Sequence, residues 1–240
     1  MEKPESLLIC NKKIDSLFFR LVIINITTMA AGMLFYGEPF KFWQDAISYL
    51  GATKTVKGYP NRTSFFIFAL GMGISGVLMF KIASIFHRHK NIEHPILKRD
   101  LSFSAGLGFF IIIFPCNTNN SIHSIGGALL FGDLWGLTLI MLIEAGKLPG
   151  AKYISIYHFI LHTTVLAYAF NFVIQSGIMQ ITQKFAVFSL ITVLKLTTAL
   201  YRLSPFYTET AEPAVRISKT PKIASNSSDE LCEECIKGNG

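Results

Sequence analysis

Asp133, His158 and His162 stand in apolar stretches of the chain, where an ionisable side chain is costly to bury and is retained only with a partner. His158 and His162 are four residues apart, so a helix puts both on one face. Such a set supports three chemistries. Asp133 and His162 could simply satisfy each other's hydrogen bonds, or the same two groups could relay a proton or a substrate. In the third, His158 and His162 would bind a metal together with Asp133. Depth separates them at about 1.5 Å of helix rise per residue. Asp133 lies ten residues past His123, and His162 ten residues past Lys152, so both sit about 15 Å deep and can meet as an intramembrane pair. His123 starts its stretch about 15 Å above Asp133, away from that pair. Lys195 could also neutralise Asp133, although its long stem suits a position reaching for the surface.

A second constellation precedes the second apolar stretch. Phe42, Trp43, Ala46, Ile47 and Leu50 recur at helical spacing, which predicts a segment lying flat on the bilayer, with Trp43 and Tyr49 at the interface. Asp45 and Ser48 would then face headgroups. The run Phe114-Pro115-Cys116-Asn117 and His123 belong to the same surface. Asp45, Ser48, Asn117 and His123 are therefore the candidate headgroup-binding residues. The competing reading makes Asp45 and Ser48 caps of short helices and His123 the cap of the stretch it opens.

The elements that must position these residues are six apolar stretches, at 17–36, 64–86, 101–115, 123–143, 153–175 and 185–203. Each is about long enough to cross the roughly 30 Å hydrocarbon core, the third being the shortest. An apolar medium leaves backbone N–H and C=O groups no partner except within a helix, so the fold class is all-α, a polytopic membrane bundle of six transmembrane helices. Composition agrees, with 51% hydrophobic residues, 21 Phe and only 15% charged residues. Residues 1–16 read as a cytoplasmic N-terminal segment, 17–203 as the membrane domain and 204–240 as a disordered cytoplasmic tail too poor in apolar residues to order itself. The first stretch runs on past the cleavage-like Thr28-Met29-Ala30 to Tyr36, which favours a retained helix over a leader.

The net charge of +7 does not imply nucleic-acid binding here, because the basic residues cluster at the ends of the stretches. Lys3, Lys12, Lys13, Arg20, Arg88, Lys90, Lys98, Arg99, Lys147, Lys152 and Arg202 fall on the face that holds both termini. They outnumber Lys41, Lys54, Lys57, Arg62 and Lys184 on the other face, which places both termini in the cytoplasm. Cys10 and Cys116 lie on opposite sides and do not pair. In the tail, Cys232 and Cys235 form a CxxC without the two further ligands a zinc site needs. Sequons at Asn61 and Asn119 sit against the ends of stretches, where a glycan has little room, and a third stands at Asn226.

Two small-residue patterns concern packing. Gly71-Met72-Gly73-Ile74-Ser75-Gly76 spells a dinucleotide fingerprint but lies inside an apolar helix with no preceding strand, so it reads as a helix contact. Ala128, Gly132 and Gly136 recur every four residues and predict a neighbouring helix on that stripe. Small-residue faces of this kind also suit a homo-oligomer.

The chain also resembles known families. Ile47-Ser48-Tyr49-Leu50-Gly51, the apolar helix after its loop, the short third span and the block His123-Ser124-Ile125-Gly126-Gly127-Ala128-Leu129-Leu130-Phe131-Gly132 look like the Frag/DRAM/Sfk family. They are also similar to the bacterial and archaeal membrane family grouped as domain of unknown function 998, and the resemblance covers about residues 15–203. Tyr49 stands where the first group usually has Asp, and the Pro-Glu that commonly follows its Ile-Ser motif is missing, so the second is the nearer likeness. The first group implies a six-span protein linked to autophagy and lysosomes, lipid-anchor remodelling or phospholipid asymmetry; the second implies no settled activity. A fainter likeness is to ceramidase-like intramembrane hydrolases, whose order of motifs His123, Asp133 and the His158/His162 pair echo, with Asn119 in place of a Ser and no seventh span. That echo implies zinc held by three histidines, with Asp133 orienting a water for amide or ester hydrolysis.

The sequence thus leads to a multi-pass membrane protein that handles or senses lipid through its outer face, with membrane lipids as partners and no cofactor. Its alternatives are a zinc-dependent intramembrane lipid hydrolase and a proton-coupled small-molecule transporter.

Overall fold

The computed structural model describes residues 4–90, 92–148 and 152–203. Among them the protein is all-α, with six long helices: α1 (Pro4–Leu34), α2 (Arg62–Arg88), α3 (Pro95–Ile111), α4 (Asn120–Ala145), α5 (Ile154–Val173) and α6 (Met179–Leu203). A single 3-10 turn, Ile47–Gly51, lies in the α1–α2 connection. Five helices are long and apolar enough to cross a membrane, and α3 is the exception to the expected six. Its 17 residues rise only about 25 Å, and its first turns carry Lys98, Arg99 and Asp100. The helix starts at Pro95, a residue suited to a first turn, and stops at Ile111 because Pro115 forbids continuation. The expected third stretch, 101–115, is thereby shifted toward the chain start. In α1 the helix begins at Pro4, well ahead of the apolar run it was expected to match. The tail with Cys232 and Cys235, and Asn226, lie outside the described residues.

Helices α1, α2, α3, α4 and α6 close a ring, in which α3 is clasped between α2 and α4, and α1 and α6 complete the circuit. Close approach rests on glycines. A Cβ on Gly71 would strike Thr28 of α1, and one on Gly76 would strike Phe110 of α3. At Gly108 and Gly126 a Cβ would meet the facing backbone, so α3 and α4 touch main chain to main chain. The second-span glycines thus serve helix contact as expected. The Ala128/Gly132/Gly136 stripe does not carry the α3–α4 contact: a Cβ on Gly132 would find open space, and only Gly136 meets α3, at Leu101.

Helix α5 stays outside the ring, resting chiefly on α6 and only lightly on α4. Only 17% of its most apolar window is buried, against 39% to 44% for the other four candidate spans.

Two ion pairs tie the helices of the bundle together. Lys98 of α3 bonds to Glu144 of α4, whose Oε2 also accepts from the Tyr201 hydroxyl of α6, and the side chains of Lys98 and Glu144 are only 2% and 1% exposed. Lys195 reaches Asp15 of α1, joined by the Thr198 hydroxyl at 2.9 Å. Asp133, to which Lys195 was offered as a partner, is left to α3.

Candidate functional site

The connection from α1 to α2, expected to turn its apolar face to lipid, turns it into the protein. It is drawn into the end of the bundle opposite the chain termini, and four buried side chains hold it there. Asn61 donates its amide to the carbonyls of Tyr49 (3.3 Å) and Ala52 (2.8 Å) and accepts from Gly37 N. Ser64 donates to Leu50 O at 3.0 Å. From α6, Gln183 accepts from Ile47 N at 2.9 Å and Lys184 donates to Asp45 O at 2.6 Å. The apolar face at Ala46, Ile47 and Leu50 is thereby buried against the bundle, while Trp43 stays exposed. The physical reason is supply: the turn's backbone groups are met by buried polar side chains of α2 and α6, which makes burial cheaper than contact with headgroups. Asn61, 1% exposed, has no access for a glycan.

Beneath this plug, between α4 and α5, lies a cleft of about 900 Å³. That is at the upper end of the roughly 300–1,000 Å³ common for small-molecule sites. Its polar lining gathers at the plug end, where Ser48, Lys54, Asn117, Asn120, His123 and Gln183 stand among apolar Ala46, Val56 and Ile112, while farther along α4 and α5 it is lined by Ala128, Phe131, Gly132 and Trp135 and by Leu166, Ala169 and Val173. The small residues expected to seat a helix instead keep this space open. A smaller apolar cavity of about 100 Å³ inside the ring shares Ser48, Ile112, Phe131 and Gln183 with it.

Of the four headgroup candidates, Ser48, Asn117 and His123 line the cleft, and Asp45 does not. Asp45 accepts from Lys41 N at 2.6 Å, closing a turn. Asn117 staples the α3–α4 loop to the plug, accepting from Thr53 N and donating to Thr53 Oγ1, both at 2.9 Å. His123 is held through Nδ1, 2.8 Å from the Phe114 carbonyl, so it serves a main-chain acceptor of the α3–α4 loop. The cap of α4 is Asn119, which accepts from Ile122 N at 3.1 Å. Burial pushes the Cys116 thiol up, and the Tyr36 phenol, just beyond α1, is pushed up to about 12 by the same cause.

The expected Asp133–His162 pair is not formed. Trp135 Nε1 donates to His162 Nδ1 at 3.1 Å, and His162 Nε2 lies 3.5 Å from His158 Nδ1 with the two rings nearly parallel. Trp135 faces α5, and two residues correspond to about 200° of helix rotation, so Asp133 faces away, toward Ser104 of α3. Its Oδ2 is buried with no partner among the described residues. The indole also fixes a tautomer. Because His162 Nδ1 accepts, a neutral His162 carries its proton on Nε2 and is a donor there, which leaves no lone pair on that atom for a metal.

Nor do His123, His158 and His162 form a metal cluster. Among the described residues the one group of three candidate ligands with atoms within 4.8 Å is Glu93, His94 and Glu144, at the opposite end of the bundle. Both of its carboxylates are engaged by lysines, Lys147 on Glu93 and Lys98 on Glu144.

The sequence reading missed Lys54, Gln183 and the α5 wall. Lys54 carried a signal, being one of the basic residues crowded into a single loop; Gln183 and Leu166 carried none, since their role depends on which helix α5 lies beside. Compared with known proteins, the chain matches no family model, no curated protein and no solved structure.

Proposed function

We propose that this multi-pass membrane protein holds a membrane amphiphile in the cleft between α4 and α5, with the headgroup beneath the plug and the chain along the apolar wall. The observation that carries this reading is the graded lining. Polar groups collect at the plug end, and the wall below is small and apolar down to Trp135. Trp135 is twelve residues below His123, about 18 Å along α4, close to one leaflet's half of the roughly 30 Å core. Entry is lateral, past α5, which has little of its surface committed to the bundle. In this reading the termini face the cytoplasm and the cleft serves the opposite leaflet, in keeping with the lipid-related roles that the resemblance to the Frag/DRAM/Sfk family implies.

The test is to fill the slot. Gly132→Leu places a side chain where a Cβ has open space, so the fold should tolerate it. Native mass spectrometry of gently solubilised protein is expected to show lipid retained by the wild type and lost in the variant, at unchanged melting temperature. Equal retention in both would overturn the reading.

A further inference from the structure

We infer that the amphiphile taken by this cleft is anionic, a lipid whose acidic headgroup is met by Lys54. The inference rests on the cleft reading above and adds the ligand's charge.

Lys54 is the one residue of fixed charge among those that line the cleft, and no carboxylate lines it. The acids nearest in sequence are committed elsewhere: Asp45 to Lys41 N, and Glu38 to Lys57, whose Nζ lies 3.6 Å away. The weak acids on the wall, the Tyr36 phenol and the Cys116 thiol, are held neutral by burial. Helix ends of both kinds reach the lining. The amino ends of α4 and α6 contribute Asn120 and Met179 to the lining, and each brings a partial positive charge. Carboxyl ends reach it as well, that of α3 at Ile112 and that of α5 at Phe172 and Val173, so the helix ends offset one another and Lys54 sets the sign. A zwitterionic headgroup would set its cation beside Lys54 with no carboxylate to receive it.

The experiment offers lysophosphatidic acid and lysophosphatidylcholine of one acyl length in mixed micelles and scores retained lipid by native mass spectrometry. Wild type, Lys54→Gln, Lys57→Gln and Gly132→Leu are compared. Lys57 is exposed and paired with Glu38 and does not line the cleft, so its variant controls for general surface attraction. The expected result is a preference for the acidic lipid of up to about fivefold, the upper range for an exposed ion pair, abolished in Lys54→Gln and kept in Lys57→Gln. Equal retention of both lipids, with both lost in Gly132→Leu, would overturn the charge inference and leave the cleft reading standing. A preference lowered as much by Lys57→Gln as by Lys54→Gln would overturn it as well. Retention that Gly132→Leu does not change would sink the cleft reading and this inference together.

Discussion

Glu144 and Lys98 show what a single residue decides in this bundle. Each is almost wholly buried, so removing one charge strands the other in a low-dielectric interior. Glu144→Gln is expected to cost about 3–5 kcal/mol, the range for breaking a buried pair. Thermal unfolding in detergent would check this, and the double variant Lys98→Met with Glu144→Leu should recover much of the loss because no uncompensated charge remains. Cys116 offers a second test at this scale. With its thiol pushed up by burial, the reactive thiolate forms only at higher pH than in a free cysteine. Maleimide labelling of Cys116, followed by peptide mass mapping, should therefore have a rate profile displaced to higher pH, and a lipid seated in the cleft should slow it further. A profile matching free cysteine would contradict the buried setting.

Among the elements, the plug is the one whose position depends on a few hydrogen bonds. Asn61→Ala leaves Tyr49 O with the Ala52 N–H but takes the partner from Ala52 O and from Gly37 N, at about 1–3 kcal/mol each. The loop should loosen before the bundle does, so limited trypsin treatment is expected to cut at Lys54 or Lys57 faster in the variant, while α2 and α3 stay intact. Unchanged cleavage would mean that the plug is held by its apolar face alone. In sequence the plug was legible as an amphipathic segment but not as a buried one. Ala46, Ile47 and Leu50 announce an apolar face, and nothing local says whether lipid or protein covers it. That choice was made by Ser64, Gln183 and Lys184, the last two more than 130 residues away along the chain.

For the whole molecule, the arrangement of a closed ring with one outlying helix is what creates the cleft. Helix α5 is anchored on α6 and stands off from α4, and the small residues of α4 face the gap. The proposed orientation can be read from single cysteines placed at two exposed lysines in a background lacking the native thiols. A cysteine at position 57 should react with an impermeant maleimide in intact cells, and one at position 147 only after permeabilisation; the reverse pattern would invert the protein in the membrane.

The sequence by itself determined five helices long and apolar enough to cross a membrane, since such runs have no other way to satisfy their backbone in lipid, while the expected sixth, α3, falls short. It also determined that the glycines of α2 allow a close helix contact, because a missing side chain is a local property. It identified Asp133 and His162 as groups needing partners and judged their depths comparable from helix rise alone. Only the tertiary structure decided who the partners were. Depth is a one-dimensional quantity that spacing supplies, whereas pairing also needs the rotation of each helix and the identity of its neighbours. Trp135, two residues from Asp133, turned toward α5 and took His162, and Asp133 was left facing α3. The cleft arises in the same way. Ala128 and Gly132 specify a helix face without bulk, and whether such a face receives a helix or stays open depends on where the rest of the chain packs.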